Sequence, residues 1–111
     1  MDSIRQQKVA SLLKRDIGEI LTHHGPEYLP GKMLTVTTVR MSPDLSFAKI
    51  YVSIFPSEDL KADIQKLKNF EKPVRGKLGN RVKNQLRIVP EIAFYLDDSQ
   101  DYVERIDELL G

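Results

Sequence analysis

LTVTTVRMSPDLSFAKIYVSIF, residues 34–55, is the stretch on which the fold turns. Its last part, residues 47–55, alternates with the period of a strand: Ala48, Ile50, Val52 and Ile54 share one face, and Phe47, Lys49, Tyr51, Ser53 and Phe55 the other. Residues 34–41 are rich in β-branched side chains and form a second strand. Ser42-Pro43-Asp44-Leu45-Ser46 between them has turn chemistry, so the two strands are expected to pair as an antiparallel hairpin. The regular alternation also predicts that Phe47, Tyr51 and Phe55 pack beneath a helix.

Upstream, residues 3–24 carry Val9, Leu13, Ile17, Ile20 and Leu21 at three-and-four spacing, with Leu12 widening the stripe, and so read as a helix. Ser3 and Gln6 form a capping box, Gly25-Pro26 is a stop signal, and residues 25–33 become a loop. Downstream, Ser57 is expected to cap a second helix with Glu58 and Asp59 in its first turn and Leu60, Ile64 and Leu67 buried. Pro73 is incompatible with the interior of that helix but fits the first turn of a third, over residues 73–86, with Val74, Leu78, Val82 and Leu86 inward. Residues 88–96 form a third strand, with Pro90 at an edge or a bulge. A short helix over residues 99–110 follows, capped by Asp97-Asp98, with Val103, Ile106 and Leu110 inward. The order α-β-β-α-α-β plus a short C-terminal helix is an α+β class. It is the layout of a type II KH-like domain, with a three-stranded sheet and helices packed on one face.

Length and composition narrow the function. With 111 residues, no cysteine and no tryptophan, the chain reads as one domain over residues 1–111, without a thiol nucleophile or a Cys-based zinc site. Nothing in it is apolar for long enough to span a bilayer, and the N-terminus lacks a secretory layout, so a cytoplasmic protein is expected. The net charge of +1 hides a segregation. Residues 1–65 are balanced, residues 66–87 carry eight cations against Glu71 alone, and residues 91–111 are acidic apart from Arg105.

The basic block carries the functional reading. At about 100° per residue, Val74, Leu78, Val82 and Leu86 take one arc of the third helix, and the cations take the complementary side. Lys72, Arg75, Lys77, Arg81, Lys83 and Arg87 are therefore the expected RNA-binding residues, with Arg5 and Lys8, and also Lys14 and Arg15, helping from the first helix. Between residues 72 and 90 there is no acid to neutralise them, and a phosphate backbone is the partner such a row suits. An acidic protein docking on the same helix is the alternative. Gly76-Lys77-Leu78-Gly79 matches the G-x-x-G by which KH domains clamp a nucleic-acid backbone, yet it falls inside the expected helix, where a close helix-to-sheet contact also explains a glycine. His23 and His24 point about 100° apart on a helix and so read as polar helix-end residues rather than metal ligands or catalysts. No nucleophile–base set or phosphate loop can be assembled, so neither an enzyme nor a cofactor is expected. Aromatic supply is thin, which predicts recognition of RNA shape and backbone rather than of splayed bases.

Two segments go beyond pattern. Residues 42–53, SPDLSFAKIYVS, resemble the hairpin signature of the ribosome-binding factor A family. Residues 87–94, RIVPEIAF, followed by Asp97 and Ser99, are similar to its last-strand motif. The first-helix stripe with Arg5, and Val74-Arg75, fit as well, so the resemblance runs over nearly the whole chain in order. It implies a type II KH-like fold and a small, non-enzymatic, monomeric assembly factor. Such a factor associates with the free small ribosomal subunit and its rRNA, assists late maturation including 5′-end processing, and supports growth in the cold. Ribosomal proteins and assembly GTPases are further candidate partners. Two departures stand out. Phe70-Glu71-Lys72-Pro73 replaces the family's Ala-x-Gly kink, with Pro73 expected to supply the break, and the stretch from Arg75 to Arg87 is longer than in many members.

Overall fold

The computed structural model describes residues 2–97. The elements are α1 (Ile4–Tyr28), β1 (Met33–Met41), β2 (Phe47–Phe55), α2 (Leu60–Lys68), α3 (Glu71–Val82) and β3 (Glu91–Leu96). The sheet order is β1-β2-β3, antiparallel between β1 and β2 and parallel between β2 and β3. Ala48, Ile50, Val52 and Ile54 are each 0 % exposed. They meet Leu13, Ile17 and Leu21 of α1, Leu67 of α2, Val74, Leu78 and Val82 of α3, and Phe94 of β3 in one core. Full burial of each such side chain stabilises by about 1.5–3 kcal/mol, so this layer dominates folding. The fold is α+β and type II KH-like, with the helices against one face of a mixed sheet, as the element order predicts.

The α1 stripe and its capping box form as expected, and buried Gln6 also donates from Nε2 to the Met41 carbonyl at 3.1 Å, tying the helix start to the end of β1. The expected stop at Gly25-Pro26 is overruled, because α1 runs on to Tyr28. Proline removes one helical hydrogen bond, at about 3 kcal/mol. Burial of Tyr28 and Leu29 offsets this, and the Tyr28 ring stacks on Phe70 with centroids 4.3 Å apart. Gly25 itself lets the helix approach β1, since a Cβ there would lie 3.3 Å from Leu34 Cδ1.

Four further boundaries differ from expectation. Asp59, not Ser57, caps α2 by accepting from Ala62 N–H, while the Ser57 hydroxyl donates to the buried Asp63 carboxylate. The helix break falls at Asn69–Phe70, and α3 begins at Glu71 with Pro73 in its first turn. A continuous helix would press the Pro73 ring onto the Asn69 carbonyl, so proline forces the break one turn upstream of itself. At its other end α3 stops at Val82, four residues short of expectation, where Lys83, Asn84 and Gln85 offer no apolar side chain to bury; Leu86 packs on the core from outside the helix. The last strand begins at Glu91 rather than at residue 88, because Pro90 has no N–H to give and the first pairing is Glu91 N–H to the Ser46 carbonyl at 2.9 Å. Glu71 then accepts from Phe94 N–H at 2.7 Å, satisfying an edge-strand donor. A β-bulge between Val36 and Thr38 lets both Val36 and Val39 face the core. The expected helix over residues 99–110 lies outside the described residues.

The hairpin turn is held by one carboxylate. Asp44 accepts from the Ser42 and Ser46 hydroxyls, each at 2.7 Å, and from Ser46 N–H at 3.1 Å. Those bonds, Ser42 first, hold its pKa at about 2 instead of 3.8. Because the folded value lies below the unfolded one, ionised Asp44 stabilises the hairpin above about pH 4, and that contribution is lost as the pH falls through about 2. An NMR titration of the Asp44 carboxyl should find a midpoint near 2. Asp44→Asn should unfold at lower temperature than the parent at neutral pH, with the gap closing in acid.

Candidate nucleic-acid interface

Helix α3 turns Val74, Leu78 and Val82 inward, all 0 % exposed, and carries four of the predicted cations, Lys72, Arg75, Lys77 and Arg81. The structure divides them. Arg81 reaches across to α1, where Nη1 lies 3.1 Å from Asp16 Oδ1 and also bonds Glu19. That hydrogen bond holds the Glu19 carboxyl below its ordinary range and raises the Arg81 guanidinium above its own. The neutralising acids thus come from 65 and 62 residues upstream, where the local charge run gave no sign of them. Arg75 donates from Nε to the Pro90 carbonyl at 2.9 Å and from Nη2 to the Val89 carbonyl at 2.8 Å, fixing the segment of residues 86–90. Lys77 is half-buried on α3. Lys72 and Lys83 are exposed and in no ion pair among the described residues.

Contrary to expectation, Arg87 lies not on the helix but in the segment that joins α3 to β3. This segment becomes the organising feature. On one side Arg5 and Arg87 line a cleft of about 190 Å³ with Leu86, Ile88 and Pro90 and with the hairpin turn, whose Asp44 also borders it. On the other, Lys72 and Arg75 line a shallow groove with Gly76, Gly79 and Val89. Ile88 stands between them, 73 % exposed. The structure therefore brings Arg5, Lys72, Arg75 and Arg87 around one protrusion, whereas Arg81 is turned to α1 and exposed Lys8 does not line the cleft. Lys14 and Arg15 are exposed on α1, and Arg15 lies 3.5 Å from Asp16.

Gly76 and Gly79 sit within α3 and not in a loop opening it. A Cβ on Gly76 would meet open space, and one on Gly79 would touch Val89 Cγ2 at 3.5 Å, an ordinary contact with the 86–90 segment rather than with the sheet. His23 is exposed, and His24 Nδ1 lies 3.5 Å from Glu27 Oε1. Among the described residues no three His, Cys, Asp or Glu side chains gather as a metal set, and no helix is long and apolar enough to cross a membrane. Asp97, expected at a helix cap, accepts from the Thr37 hydroxyl of the β1 bulge.

The far face of the sheet corrects another expectation. Phe55 is 70 % exposed and Tyr51 partly so, and no described helix covers them, because all three helices bury their stripes against the other face. Tyr51 instead neighbours Tyr95, with Arg40, Lys49 and Lys68 over the two rings. Alternation places Lys49 beside Tyr51 in the sequence. Tyr95 and Lys68 join them only through the parallel register and the end of α2, so pattern reading could not find them.

The chain is similar to known proteins over most of its length. The family model described as ribosome-binding factor A matches residues 5–110. A ribosome-binding factor A of Cytophaga hutchinsonii is 44 % identical over 111 residues, covering 100 % of this chain and 84 % of the relative. One from Chlorobaculum parvum is 40 % identical over 109 residues, covering 97 % and 89 %. Among solved structures, the crystal structure of ribosome-binding factor A from Thermus thermophilus superposes with a TM-score of 0.68 at 27 % identity, covering 82 % of this chain and 94 % of that one. A homology model of the Thermus thermophilus factor, fitted into the cryo-EM map of its complex with the 30S subunit, gives a TM-score of 0.61 at 29 % identity, covering 78 % and 88 %.

Arg81→Ala should cost about 2 kcal/mol in urea denaturation, because it leaves the Asp16 carboxylate, only 5 % exposed, with Arg15 at 3.5 Å in place of the closer Arg81 bond. Gly76→Ala should instead stabilise by about 0.5–1 kcal/mol, as expected for a helix-interior glycine with room for a methyl group.

Proposed function

The chain belongs to the ribosome-binding factor A family, and from that premise we propose that it binds the free small ribosomal subunit as a non-catalytic assembly factor. The observation that carries this reading is the gathering of Arg5, Lys72 and Arg87 around the 86–90 protrusion, none of them in an ion pair among the described residues. A relative of the same fold fitted into a 30S complex supports the choice of partner. Lys83, exposed at the end of α3, extends the cationic surface toward the 86–90 segment, with exposed Lys8 on α1 and half-buried Lys77 on α3 as secondary candidates. Phosphates of ribosomal RNA are the ligand such a surface suits, through counterion release rather than base reading.

The proposed work is assistance in late maturation of small-subunit rRNA, including 5′-end processing, with its greatest value in the cold. Cold stabilises mispaired RNA and slows its escape. A monomeric cytoplasmic protein of this kind acts by differential affinity: it binds an immature RNA conformation better than the mature one, shifts the population, and leaves when the site closes. Assembly GTPases and ribosomal proteins are the classes of partner that would time its release. An acidic protein docking on α3 has less in its favour, since Arg75 and Arg81 already have partners within the chain.

Co-sedimentation with purified free small subunits tests this. The Lys72→Glu, Lys83→Glu, Arg87→Glu triple variant should lose more than about tenfold in association near physiological salt. Its log–log salt slope should flatten by about 0.7–0.9 per phosphate contact removed. Full association by the folded triple variant would overturn the RNA-facing role of this patch.

A further inference from the structure

The sheet face opposite the helices holds a second constellation that the 86–90 protrusion does not use. Tyr51 and Tyr95 are direct partners in the parallel β2–β3 register, with ring centroids 5.7 Å apart and planes inclined by 32°. The Arg40 guanidinium carbon lies 5.8 Å from the Tyr51 centroid; Lys49 Nζ and Lys68 Nζ lie 5.7 and 4.7 Å from that of Tyr95. None of these three cations is in an ion pair among the described residues. Tyr95 is 37 % exposed and Tyr51 half-buried, and the flexible side chains of Arg40, Lys49 and Lys68 lie over the rings. The nearby acids are Glu91, at the start of β3, Asp97, two residues past Tyr95 with its carboxylate on the Thr37 hydroxyl, and Glu71, whose carboxylate accepts from Phe94 N–H. Glu91 and Asp97 stand at the ends of β3 and Glu71 at its outer edge, while Arg40, Lys49 and Lys68 face the rings themselves.

We propose that this face is a stacking platform for unpaired RNA bases. The proposal rests on the reading of the protein as an RNA binder and adds to it a second contact of a different kind. The two adjacent rings accept any base once the long cationic side chains over them swing aside, and those cations then suit the phosphates that link the bases. A duplex cannot use the platform, because its bases are already stacked and its readable edges lie in grooves. The occupant is therefore single-stranded RNA. This changes the expectation of recognition by shape alone: the 86–90 patch holds backbone, and the sheet holds bases.

Fluorescence polarisation of the full chain with a labelled short oligouridylate, set against a duplex RNA of equal length, tests the assignment. Tyr51→Ala and Tyr95→Ala should each weaken single-strand binding by about five- to a hundredfold, with Phe at either position restoring it and duplex binding unchanged. In the unmodified protein, the Tyr51 and Tyr95 ring resonances should shift on RNA addition, a readout independent of whether the alanine variants fold. Lys49→Glu with Lys68→Glu supplies a surface variant with the same expected loss. Unmoved ring resonances together with unchanged affinity in the variants would overturn the proposal. So would carbodiimide cross-links from Lys49 or Lys68 to carboxylates of residues 98–111, which would name the chain's own acidic end as the occupant. Concentration-dependent self-association abolished by the tyrosine variants would overturn it in favour of a second copy. Loss of oligouridylate binding in the tyrosine variants, with subunit association insensitive to the Lys72, Lys83 and Arg87 reversals, would sink the patch and leave the platform standing; the opposite pattern would do the reverse.

Discussion

One side of β2 carries no polar group and meets no water, and the rest of the molecule is arranged around that fact. Ala48, Ile50, Val52 and Ile54 can be covered only by helices lying across them, so α1, α2 and α3 all gather on that side. The antiparallel partner β1 is reached by a short turn. The parallel partner β3 requires a crossover, and the α2–α3 pair supplies it. The return from α3 to β3 leaves residues 86–90 standing beside the helix layer, and the far side of the sheet is left with what alternation put there: tyrosine, lysine and arginine.

Charge is distributed by the same geometry. A buried Asp16 would be costly alone, and Arg81 lies where it can answer it. Arg75, six residues earlier on α3, meets backbone carbonyls instead, anchoring the protrusion. Glu71, the single acid of the basic block, accepts from an edge-strand N–H and is in no ion pair with its neighbours among the described residues. What remains outside is a patch at the 86–90 segment, more compact than a row along the whole helix, together with a separate cationic and aromatic field on the sheet.

Much of the fold was readable residue by residue. The period-two run of β2, the α1 stripe from Val9 to Leu21, the Ser3–Gln6 box and the incompatibility of Pro73 with a continuous helix are all local signals, and each appears where the pattern places it. Pro26 misled because its cost is local while the benefit is not: Tyr28 gains a stacking partner in Phe70, forty-two positions away. The cations were legible as residue types and as an outward-facing set. Their partners were not, since Asp16 and Glu19 sit on another helix and the Val89 and Pro90 carbonyls are backbone atoms that no side-chain pattern reveals.

Element order, the buried faces and the presence of a basic surface thus follow from the chain's own alternation and spacing, because secondary structure and burial respond to neighbours two to four residues away. Which cations stay available, where α1 ends, and the pairing of Tyr51 with Tyr95 were settled by packing and strand register. Those contacts join residues far apart in sequence, and a side chain's availability depends on the atoms that reach it in space.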